Sequence, residues 1–154
     1  MDAKDAAILA IIGRRAGLSS RTLSGMLDIP ISTVHRRIKR LERDSVITGY
    51  KALIDYEKTP WPIGALLLID LAEAVPGTGP IPKQAILTAL RRFPEIEEIL
   101  EVQAATFDLA VKARFPSLKQ LSAFIEALRA VDGIEETATA IVTDEHALAP
   151  PLLL

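Results

Sequence analysis

The sequence predicts an α+β fold in two parts, a cluster of short helices over residues 1–50 and a βαββαβ domain over residues 63–146. Three observations predict it. Apolar residues recur at helical spacing in three short segments before residue 44, strand-like and helical patterns then alternate, and charge divides unequally between the parts. Cut after Lys58, the first part carries 11 Lys and Arg against 7 Asp and Glu, a net +4, and the remainder 7 against 13, a net −6. A net positive charge in one half only points to a polyanionic partner for that half, the plain alternative being chance.

The first helix is expected to start at Asp2-Ala3-Lys4-Asp5, to carry Ile8, Leu9, Ile11 and Ile12 on its inner side, and to end at Gly13 and Gly17. Ser20 to Leu27 forms the second, burying Leu23 and Leu27 at i, i+4, and Asp28-Ile29-Pro30-Ile31 makes the break. A third runs from about Ser32 to Arg43, with Val34, Ile38 and Leu41 inward. Val46 to Ile54 is rich in strand formers. Residues 51–62 are then expected as a linker strand ending in Thr59-Pro60-Trp61-Pro62, where two prolines stop any helix.

In the second part, Ile63 to Leu71 is a continuous apolar run of strand length, and Val75 to Pro80 is a loop. Ile81 to Phe93 reads as a helix stopped by Pro94, and Glu95 to Val102 and Phe107 to Phe115 as strands. Pro116 opens a helix carrying Leu118, Leu121, Phe124, Ile125 and Leu128, and Ile134 to Val142 follows Asp132-Gly133 as the last strand. This order is the split βαβ of a ferredoxin-like domain. Helices then cover one face of the sheet, and the other is open to a second copy. The Ile63 to Leu71 strand has two readings, the core of such an interface or a central strand buried by its own helices. Residues 147–154, an apolar tail, either pack on a neighbour or form a disordered end.

Composition removes several functions. The longest apolar stretch, Ile63 to Ala74, is interrupted by Asp70 and Glu73, and falls short of the roughly 18 apolar residues of a membrane span. The first residues lack the basic and apolar regions of a secretory signal, so a cytoplasmic protein is expected. Cysteine is absent and the histidines are His35 and His146 alone, a poor supply for thiol chemistry, a metal centre or a catalytic triad. No catalytic residue, metal or cofactor is therefore expected. Asparagine is absent and methionine limited to two, a depletion of thermolabile residues that fits a thermophilic source.

On a helical wheel with Val34, Ile38 and Leu41 inward, the opposite face of the third helix is Ser32, Arg36, Lys39, Arg40 and Arg43. A short helix, a turn and then such a helix is the helix-turn-helix arrangement, whose second helix enters the major groove of double-stranded DNA. Arginine is shaped for bidentate contact with guanine or phosphate. Thr33 and His35 flank the face near the helix start, where base contacts concentrate, while Arg37 lies nearer the buried edge and suits phosphate or structural duty. The plain alternative is a solvated basic face on a protein that meets no nucleic acid.

Asp5-Ala6-Ala7-Ile8-Leu9, Leu23, the run Ser32-Thr33-Val34-His35-Arg36-Arg37-Ile38-Lys39-Arg40-Leu41-Glu42 and Val46-Ile47-Thr48-Gly49-Tyr50 together resemble the Lrp/AsnC (feast/famine) family of transcription regulators. The resemblance covers essentially the whole chain. It implies a winged helix-turn-helix followed by a RAM-type βαββαβ sensor domain, an operator DNA, an amino-acid-like effector, and homodimers that can assemble further into octamers. The family's Gly-x-aromatic-Asp segment, near the effector site between subunits, matches Ala105-Thr106-Phe107-Asp108. It implies effector contacts at Ala105, Thr106 and Asp108, with Asp108 accepting from a ligand ammonium group and Thr137 and Thr139 offering hydroxyls. A turn aspartate and strand threonines on a solvated face are the alternative.

Three positions depart from the family pattern. Asp28-Ile29-Pro30 stands for Gly-Leu-Ser, so Ser32 or Asp28 is expected to cap the third helix. Ser45 and Ala105 replace glycines, the first carrying strain if its φ is positive and the second narrowing the approach to a ligand. Siroheme decarboxylases share the layout, but their His-Asn-Tyr segment cannot occur in a chain without asparagine. A ligand-binding module with a vestigial DNA-binding half is the remaining alternative, resting on Pro30.

Overall fold

The computed structural model describes residues 1–146, so the apolar tail lies outside the described residues. The chain divides into two compact units, Met1–Ile54 and Asp55–Glu145.

The first unit contains α1 (Ala3–Ile12), α2 (Ser20–Leu27) and α3 (Ile31–Arg43). Asp2 and Asp5 form a reciprocal capping box at the start of α1, the Asp5 N–H donating to Asp2 Oδ1 at 3.0 Å and the Asp2 N–H to Asp5 Oδ2 at 3.1 Å. Ser19 caps α2 by accepting from the Thr22 N–H at 3.1 Å, and Asp28 ends it in the left-handed region at φ 52°. Ile8, Ile12, Leu23, Ile29, Val34 and Leu41 form the core of this unit, with Ile38 half-buried beside them.

The expected cap of α3 is corrected: Pro30 is the N-cap and makes no side-chain cap hydrogen bond, while Asp28 is the C-cap of α2. Ser32 lies one residue inside the helix, where helical backbone prevents it from being the cap. Ser45 does adopt positive φ, 55°. The strand expected over 46–54 and the linker strand over 51–62 do not form in the described chain, where a 3-10 turn at Tyr56–Lys58 is the one regular element between α3 and Ile63. Strand-forming residues need a neighbouring strand to satisfy their backbone groups, and no described strand pairs with this segment.

The second unit is β1 (Ile63–Leu71), α4 (Lys83–Leu90), β2 (Ile96–Glu101), β3 (Leu109–Phe115), α5 (Leu118–Arg129) and β4 (Ile134–Val142). Its sheet has the order β2-β3-β1-β4 with every neighbour antiparallel. Ala65, Leu67 and Ile69 of β1 and Leu109, Val111, Ala113 and Phe115 of β3 face α4 and α5, where Ile86, Leu90, Leu121, Phe124 and Leu128 complete the core. Gly133, at φ 91°, lies so close to this core that a Cβ there would sit 2.7 Å from Ile86 Cδ1.

Of the two readings of β1, the central strand is the one observed for its inward side. Its other side belongs to the open sheet face. Register places Leu100, Ala110, Leu68 and Ala138 in one row across that face and Leu66 beside Ala140 in the next, an apolar strip on which Leu66 is 41% and Leu100 50% exposed. No helix among the described residues is long and apolar enough to cross a membrane.

Candidate DNA-reading face and effector site

The basic face of α3 follows from its wheel. Val34 and Leu41 are buried, so residues near 180° away must be outward, and His35, Arg36, Lys39, Arg40 and Arg43 are exposed. His35, Arg36, Arg37, Lys39, Arg40 and Arg43 line one open groove along the helix. Ser32 is exposed and Thr33 half-buried in the first turn, and neither lines that groove.

The cations are not equivalent. The Arg37 side chain is 16% exposed and its Nη1 donates to Asp2 Oδ1, Asp2 Oδ2 and Asp5 Oδ1, each at 2.8 Å. Of the two duties considered for Arg37, the structural one is what this geometry performs within the unit. Arg40 donates through Nη2 to Asp5 Oδ2 at 2.6 Å with its side chain 43% exposed. Lys39 pairs with Glu42 at 3.0 Å and Arg43 with Asp44 at 3.1 Å, exposed pairs of small energy that a phosphate can displace. Arg36 makes no ion pair among the described residues. The Tyr50 hydroxyl donates to Glu42 at 2.9 Å, which ties the segment after α3 back to the helix.

Asp2 and Asp5 were legible in the sequence as the start of a helix, not as partners of α3. Asp5 is fully buried. Burial pushes its carboxyl up, but the Asp2 N–H and the guanidinium groups outweigh that and hold it below its ordinary value. The Asp5 N–H, followed by the Arg37 guanidinium, lowers the Asp2 carboxyl to about 2.

In the second unit, Ala105 and Thr106 are exposed in the loop between β2 and β3. Asp108 stands just before β3, its N–H donating to the Ile69 carbonyl at 2.9 Å and its Oδ2 accepting from the Leu71 N–H at 3.0 Å. With Asp70, Glu73 and Glu135 it lines an open acidic cleft. Thr137 and Thr139 pair with Ile69 and Leu67, on the sheet face that carries the helices, and do not line that cleft. The Thr137 hydroxyl accepts from Arg129 Nε at 3.3 Å. The candidate effector residues are thus not brought together within one chain.

Sequence reasoning also missed Arg114, which is 5% exposed on the open sheet face. Its Nε donates to Glu97 at 2.9 Å, its Nη2 to Glu145, and the Tyr56 ring lies 3.6 Å from its guanidinium carbon. Gly64 makes room for it, since a Cβ there would meet Val142 Cβ at 3.2 Å and Arg114 Nη1 at 3.3 Å. An arginine in an alternating strand reads as outward, and only the fold brings Tyr56, Glu97 and Glu145 over it.

A basic helix face in one unit and an open acidic cleft in an α+β second unit fit a class, the DNA-binding regulator with a sensing domain. Residues 1–48 match the winged helix-turn-helix DNA-binding family and residues 80–152 the Lrp/AsnC ligand binding domain. An uncharacterized HTH-type transcriptional regulator of Pyrococcus horikoshii is 31% identical over 144 residues, 93% of this chain and 86% of that protein. An HTH-type transcriptional regulator of Pyrococcus furiosus is 28% identical over 146 residues, 95% of this chain and 91% of that protein. A transcriptional regulator of Neisseria meningitidis, solved as its complex with L-Met, superposes with a TM-score of 0.84 at 22% identity over 99% of this chain and 97% of that one. The chain belongs to the Lrp/AsnC family of transcription regulators and is a DNA-binding regulator with a ligand-binding domain. Its family and relatives are regulators rather than enzymes, which sets the decarboxylase alternative aside.

Proposed function

We propose that the chain is a sequence-reading regulator that binds operator DNA as a homodimer through α3 and responds to an amino acid. The observation that carries this reading is the exposed row of Arg36, Lys39, Arg40 and Arg43, held on a helix whose inner edge is fixed to α1 by the Asp2, Asp5 and Arg37 network. Ser32, Thr33 and His35 complete the surface at the helix start, and Arg37 acts as its anchor. The reading favours function over a vestigial half because Pro30 leaves α3 helical from Ile31 onward.

The open sheet face supports the dimer. Its strip of leucines and alanines presents apolar surface to water, and a second copy of the same strip would cover it with like surface. Assembly of such dimers into octamers belongs to the same proposal. For the effector, Asp108 is the polar anchor: its Oδ1 accepts from no described residue, and the acidic cleft around it suits an ammonium group. Ala105 and Thr106 form the rim above it. Thr137 and Thr139 enter the site only if a partner subunit supplies them. An amino acid as ligand is supported by the L-Met complex of the Neisseria regulator. The place of action is the cytoplasm, where bacterial or archaeal DNA lies.

Selection of random duplexes by the purified protein tests the reading, followed by titration of single amino acids into the protein and its Asp108→Ala variant. The expected result is a recovered sequence with two half-sites about one turn, roughly 10 base pairs, apart, and heat for one amino acid that Asp108→Ala abolishes. Recovery of no sequence would contradict the DNA reading, and an unchanged isotherm in the variant would move the effector site elsewhere.

A further inference from the structure

Asp5 sits behind the DNA-reading helix and touches both arginines that border its inner edge. Its side chain is 1% exposed, yet Oδ1 accepts from Arg37 Nη1 at 2.8 Å and Oδ2 from Arg40 Nη2 at 2.6 Å. The two arginines differ in what remains to them. Arg37 is also occupied by Asp2 and is largely covered, and its Nε is buried with no partner among the described residues. Arg40 is gripped by one nitrogen only, and its Nε and Nη1 donate to no described residue. On the wheel Arg40 lies one turn beyond Arg36 and next to Arg43, at the line where the buried network meets the exposed basic face. It lines the same groove as Arg36 and Arg43.

We propose that Asp5 is a positioning residue for DNA recognition, which holds the Arg40 guanidinium in one orientation and leaves its remaining N–H groups to a base or phosphate acceptor. This rests on α3 being the DNA-reading element. A guanidinium already fixed by one partner loses less side-chain freedom on contact, and its planar fork arrives in a set direction. The sign of the effect separates positioning from charge. An acid beside a DNA-binding surface repels phosphates, so on electrostatics alone its removal tightens binding to any duplex. Positioning predicts the reverse for the sequence that the protein reads.

The test uses the full chain, one duplex that the wild-type protein selects from a random pool, and a scrambled duplex of the same composition, with affinities from fluorescence anisotropy over a series of salt concentrations. Asp5→Asn should bind the selected duplex about tenfold more weakly and the scrambled one equally or more tightly, a loss of the size of one mispositioned base contact. Arg40→Lys keeps the charge and leaves the Asp5 to Arg37 pair in place, so it remains informative should Asp5→Asn fail to fold. It should retain the scrambled affinity and the salt slope while losing the same selectivity, and adding Asp5→Asn to it should cause no further loss. A wild-type ratio of selected to scrambled binding in Arg40→Lys or in folded Asp5→Asn overturns the proposal. So does an Asp5→Asn loss of selectivity that is undiminished in the Arg40→Lys background. A wild-type protein that selects no duplex overturns the DNA reading, and this inference with it.

Discussion

Asp2 and Asp5 make the stability of the helical unit depend on pH. Both carboxyls are held below their ordinary value of 3.8, Asp2 at about 2. A group whose folded pKa is depressed contributes stability above its unfolded pKa and loses that contribution as pH falls through the folded value. The unit should therefore hold constant stability from pH 7 to about pH 5 and weaken progressively toward about pH 2. Melting followed by circular dichroism across this range checks it, and Asp5→Asn should flatten the decline. A wild-type melting temperature unchanged between pH 5 and pH 2 would contradict the network. Little of this was legible beforehand. The wheel placed Arg37 near the buried edge, but its partners sit 35 and 32 positions earlier on another helix, and the spacing on one helix does not encode how two helices pack.

Helices and strands were more readable than their partners. The ranges Ser20–Leu27, Ile63–Leu71 and Ile134–Val142 agree with the observed elements residue for residue, because capping residues, prolines or a Gly mark their ends. The helix expected over 81–93 is shorter, Lys83–Leu90. Pro82 disfavours helical backbone at Ile81, and after Leu90 the chain tightens into turns in which the Phe93 N–H donates to the Leu90 carbonyl. Residues 46–54 failed as a strand for want of a pairing partner, information absent from local pattern. For α3 the proline at the N-cap allows a direct test. Pro30 has the extended backbone of an N-cap, φ −53° and ψ 139°, but no capping oxygen. Pro30→Ser supplies one and should stabilise the unit by about 0.5–1 kcal/mol, the lower part of the usual cap range because the rigidity of proline in the unfolded chain is lost. Urea unfolding measures it, and a destabilised variant would show that Pro30 is needed for the turn itself.

Across the whole molecule, division of charge and alternation of pattern carried the two-unit reading, since each depends on many residues and none on a single contact. The candidate sites were legible to different degrees. The outward face of α3 follows from helical periodicity, so Arg36, Lys39, Arg40 and Arg43 fall together as expected. Asp108 stands before β3 while Thr137 and Thr139 lie on β4, and the sheet face that the threonines share is set by the pairing of β4 with β1. That places the threonines away from the acidic cleft.

The central claim is that α3 reads DNA while the second unit assembles the protein. Arg36→Ala/Arg40→Ala tests it most directly, by anisotropy on the wild-type-selected duplex together with sedimentation of the free protein. Two lost arginine contacts should weaken binding by at least about 30-fold, each contact being worth roughly 1–3 kcal/mol, with sedimentation unchanged. Wild-type affinity in the double variant would contradict the assignment of α3 as the reading element.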